Sequence, residues 1–182
     1  MALTLIIFSS LLWLLSLALL FTRRQLLAPA ASFIALTLLS MARTSTGYPV
    51  VPINSTILIG WLCMTVVVML TVVLQPEAIR TQTKGMGYIT GGAVAGMAVG
   101  LLGFTFSANL PLLYGGMIIA TIAGTFFGFL LFSRTPDGRV VNLRSGNFFR
   151  YLLAKGFPTA ITVMQAGVAL VLVLAINNIY PR

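Results

Sequence analysis

The sequence predicts an all-α, polytopic integral membrane protein: a six-transmembrane-helix bundle with both termini non-cytoplasmic. Three observations predict it. Six long apolar runs fill most of the 182 residues, every charged residue falls outside them, and the positive charges gather on alternate connections. A soluble domain averages about 25% charged residues; this chain has 7%, with 59% apolar residues and a mean hydropathy of +1.05. Such a chain cannot cover itself with a water-compatible surface. Its length suits a single transmembrane domain, 1–182, with no separate soluble domain.

About 20 apolar residues span the roughly 30 Å hydrocarbon core as a helix. The first run, 2–21, has no positive charge before it and no small-residue cleavage pattern after it. A retained helix is therefore expected, not a cleaved signal peptide. The second run, 26–42, is short and carries Pro29 near its start, where proline is tolerated. The connection 43–54 holds Gly47, Tyr48, Pro49 and Pro52 and reads as a turn-rich loop. Asn54-Ser55-Thr56 fits the glycosylation pattern but abuts the membrane, which argues against its use.

The third run, 55–75, stops at Pro76, and the fourth covers 86–106. The fifth, 110–132, has Pro111 in its first turn, and the sixth, 157–179, has Pro158 at its start. A β-barrel is not expected, because these runs are too long and do not alternate. The basic connection 133–156 opens on the turn Pro136-Asp137-Gly138. Its second half, 142–155, reads either as an amphipathic surface helix or as an extension of the sixth helix with snorkelling cations.

Lys and Arg mark the cytoplasmic side of a bilayer. Arg23, Arg24, Arg80, Lys84, Arg134, Arg139, Arg144, Arg150 and Lys155 all fall on one side; only Arg43 and Arg182 fall on the other. The net charge of +9 does not point to nucleic acid, because the cations are spread over short connections beside apolar spans. Membrane lipids with anionic head groups are the expected partners on the cytoplasmic face, at Arg134, Arg139, Arg144, Arg150 and Lys155.

One constellation is patterned. Gly92, Gly96 and Gly100 in the fourth run, and Gly116, Ala120, Gly124 and Gly128 in the fifth, recur every four residues, with Gly87 and Gly91 in a parallel row. Spacing of four puts each set on one helix face, and small residues let backbones approach closely inside lipid. A hairpin of the glycine-zipper type is expected; an interface between chains, or a Gly-lined path for a solute, are the other readings. The Gly pairs are not in a strand–turn–helix context, so nucleotide binding is not expected.

The catalytic inventory is thin. Glu77 and Asp137 are the only acids, there is no His, and Cys63 is the only cysteine. Proton-coupled transporters usually hold acidic or His groups within the membrane. Paired carboxylates, nucleophile–base pairs and metal or haem ligand sets are missing. No enzyme, metal or cofactor is expected. Glu77 and Arg80 read as a local surface pair. Gln165 is the most polar residue at depth and is expected to bond across to another helix, with Thr121 or Thr125 as candidates, or to touch a substrate. Trp61 is expected as an interfacial anchor and Trp13 as a packing residue. The functional expectation is a non-enzymatic protein of a prokaryotic inner membrane, acting through helix contacts as a small subunit or assembly factor of a membrane complex, or forming a homo-oligomer. The alternative is a channel or carrier for a small neutral or anionic solute.

Overall fold

The structure, a computed structural model, describes residues 2–43, 47, 49, 51, 53–104, 110–141 and 146–179. It is all-helical, with no strand among the described residues. The helices are α1 Ala2–Leu20, α2 Leu27–Met41, α3 Ser55–Val73, a single turn α4 Glu77–Arg80, α5 Met86–Phe104, α6 Leu110–Ser133, α7 Asn147–Tyr151 and α8 Phe157–Ile179. Asn54 caps α3 by accepting from the Thr56 N–H. Five of the helices are long and apolar enough to cross a membrane; α2, with 15 residues, is shorter.

The last helix is the hub. Of the apolar window in the continuous helical stretch Asn147–Leu172, 78% is buried, against 17% for α1. It packs against α1, α2, α3, α5 and α6, while α1 pairs mainly with α2, and α5 with α6. Short polar links fasten α2 to its neighbours: Ser9 donates to the Ala35 carbonyl at 2.7 Å, and Ser32 to the Thr162 carbonyl at 3.1 Å. Inside an apolar bundle such bonds satisfy hydroxyls that would otherwise be orphaned.

Helices α5 and α6 meet backbone to backbone. A Cβ on Gly92 would overlap the Gly124 carbonyl oxygen, one on Gly96 the Ala120 carbonyl, and one on Gly128 the Tyr88 carbonyl. At Gly100 a Cβ would lie 2.7 Å from the Met117 Cα and 3.1 Å from the Gly116 oxygen. The parallel row differs: a Cβ on Gly87 or Gly91 meets nothing within 4 Å. The connection 105–109 lies outside the described residues.

The ends of the bundle are unlike. One, the basic end, gathers the α1–α2, α3–α5 and α6–α8 connections and with them most of the cations. There Lys84 pairs with Asp137 at 3.2 Å, both exposed, and Gly85 turns the chain into α5 at φ +83°. An aromatic cluster closes this end: Phe129 meets Phe148 edge-on at 4.8 Å, and Tyr151 stacks on Phe132 at 5.8 Å.

Pro158 does not start a helix, as the sequence led us to expect. The chain is helical from Asn147 through Pro158, with a π-turn at Leu152–Gly156. Proline offers no N–H to the Ala154 carbonyl and its ring crowds that carbonyl. A widened turn relieves both, and Phe157 donates instead to the Leu152 carbonyl, five residues back. Of the two readings of 142–155, the described part, from Asn147 on, is thus an extension of the last helix.

Candidate functional site

Two features stand apart from ordinary packing: a buried polar cluster at the basic end and an apolar groove along α3. The cluster centres on Lys155 in the π-turn. The side chain is fully buried. Its Nζ donates to Gln25 Oε1 at 2.5 Å and to the Arg80 carbonyl at 2.7 Å. Gln25, also buried, donates through Nε2 towards the Gln82 carbonyl at 3.5 Å, and the Tyr151 hydroxyl donates to the Lys84 carbonyl.

One ammonium thus holds the α1–α2 connection, the end of α4 and the root of α8. The Arg80 carbonyl closes a helical turn and has no intrahelical partner, so it is a natural acceptor for a cation. No carboxylate takes part. Glu77 is exposed and Asp137 is engaged by Lys84. A buried charge without a counter-charge is costly, so neutral oxygens alone carry its solvation.

This corrects the expectation that Lys155 meets lipid head groups. It points inward because Lys155, Thr159 and Thr162 share one face, and that face is turned to the interior. The i, i+4, i+7 spacing of these polar residues was the available signal, hidden by Pro158. Of the other residues expected at head groups, Arg134, Arg139 and Arg150 are exposed, and Arg144 lies outside the described residues.

Gln165 is fully buried, and its Nε2 donates to Thr65 Oγ1 at 2.8 Å. The partner is therefore on α3 and not, as expected, Thr121 or Thr125 on α6. Those two bond back to Met117 and Thr121 carbonyls in their own helix. Thr65 in turn donates to the Trp61 carbonyl, and Trp61 Nε1 donates to the Tyr114 hydroxyl at 2.9 Å. Trp61 is buried, so it is a cross-brace between α3 and α6 and not an exposed interfacial anchor. Trp13 is half-buried, and its Nε1 has no partner among the described residues.

Gln165 Oε1 likewise has no partner among the described residues. Gln165→Leu removes one hydrogen bond together with that orphaned acceptor, while Thr65 keeps its bond to Trp61. The expected change in stability is within about 1 kcal/mol, read by thermal unfolding in detergent. A large loss would show that Oε1 is satisfied by a bound group.

The groove lies where α3 stands off from α6. Both rest on α8, which forms its floor, and its volume is about 560 Å³. Met64, Val68, Ile118, Ile122, Ile161 and Met164 give it an almost wholly apolar wall. The Trp61–Tyr114 brace crosses it towards one end, and Thr71, Thr125 and Gly156 line it towards the basic end.

An all-helical chain with five long apolar helices is consistent with a multi-pass membrane protein. Among the described residues there is no group of His, Cys, Asp and Glu that would hold a metal ion. Compared with protein-family models, with curated proteins and with solved structures, the chain finds no match.

Proposed function

We propose that this protein is a non-enzymatic subunit or assembly factor of a membrane complex, acting through the apolar faces of its helices. The observation that carries this reading is the closed interior. The α5–α6 seam is packed backbone to backbone and leaves no room for a Cβ, its Gly-lined cleft opens on the outer face of the helix pair, and the centre is filled by α8. The peripheral helices α1 and α3 keep most of their apolar surface outward, available to lipid or to other subunits.

In this reading all six apolar helices cross the bilayer, α2 included, with both termini on the non-cytoplasmic side of a prokaryotic inner membrane. The distribution of cations supports that orientation. Reporter fusions after Asn54 and Asn109 are expected to report the outside, and fusions after Lys84 and Arg144 the inside. Reversal at either pair would remove a crossing, and α2, at 15 residues, is where it would be lost.

Native mass spectrometry of the protein drawn gently from its host membrane tests the subunit reading. Other chains in fixed stoichiometry are expected. Solute flux through the purified protein alone in liposomes would sink it. Flux would favour the second reading, a carrier for a small anion, which rests on Lys155: a buried cation held only by neutral oxygens is a place where an anion could be received.

A further inference from the structure

We draw no further inference here: the strongest candidate, the apolar groove that α3 and α6 form over α8, is an open and unpartnered face, and nothing in the structure shows what covers it.

Discussion

Gly96→Leu destroys the bundle, while Gly91→Leu, five residues away on the same helix, leaves it intact. The contrast follows from where the missing side chains would go. A Cβ on Gly96 would overlap the Ala120 carbonyl oxygen and stand 3.0 Å from the Gly124 Cα. These are backbone atoms of α6, which cannot rotate aside, so the helices must separate along the whole seam. Overpacking costs about 1–3 kcal/mol where side chains can adjust and more where they cannot, so Gly96→Leu is expected to lose at least about 3 kcal/mol. Gly124→Leu is expected to match it, because its Cβ would overlap the Gly92 carbonyl. A Cβ on Gly91 meets open space, and replacing a helical glycine there returns up to about 1 kcal/mol of helix propensity. Thermal unfolding of the three variants in detergent checks this. Equal behaviour of Gly91→Leu and Gly96→Leu would mean that α5 and α6 do not meet through this face.

The second large effect is expected at Lys155, with an order that charge counting would not suggest. Gln25→Leu should cost more than Lys155→Met. Removing Gln25 Oε1 leaves a buried ammonium with the Arg80 carbonyl as its one acceptor among the bonds described. A hydrogen bond to a charged group contributes about 1.5–3 kcal/mol, and the desolvated charge remains. Lys155→Met removes the charge along with its donors and leaves the buried Gln25 Oε1 unpaired, while the part-buried Arg80 carbonyl can meet water, so about 1–3 kcal/mol is expected, less than a buried charge stripped of its acceptor costs. The double variant should then recover at least about 1 kcal/mol relative to Gln25→Leu alone, since the two side chains act as a unit. Denaturant titrations in mixed micelles measure all three. If Lys155→Met is the worst of the set and the double variant recovers nothing, the ammonium is not held as described.

Helical class was readable because it depends on composition along the chain. Runs of about 20 apolar residues without charge leave the backbone one economical way to satisfy its own polar groups in a bilayer. The recurrence of glycine at every fourth position was readable for the same reason, as spacing alone assigns a face. Which of two parallel glycine rows carries the contact was not readable: Gly87 and Gly91 look equivalent to Gly92 and Gly96 in one dimension, yet only the latter face α6.

The polar residues were harder. Lys155 sits among basic neighbours before a proline, and in sequence it resembles any snorkelling cation. Its inward direction shows only once the helix is seen to continue through Pro158, which puts Lys155 on the buried face of Thr159 and Thr162. Gln165 was identifiable as needing a partner, because a buried amide in an apolar run is rare, but Thr65 is 100 residues away and on a helix that local pattern does not connect to it. Trp61 likewise takes its role from Tyr114 on α6.

By itself, then, the sequence determined that the chain is a set of long apolar helices with its cations confined to their connections, because hydropathy and charge are properties of the residues in order. The tertiary structure alone decided that α8 is the centre, that Lys155 joins three connections from within, and that α3 stands off from α6 to leave a groove. Those outcomes rest on contacts between residues far apart in the chain, and within lipid, where apolar surface attracts lipid and helix alike, only the fit of particular side chains selects them.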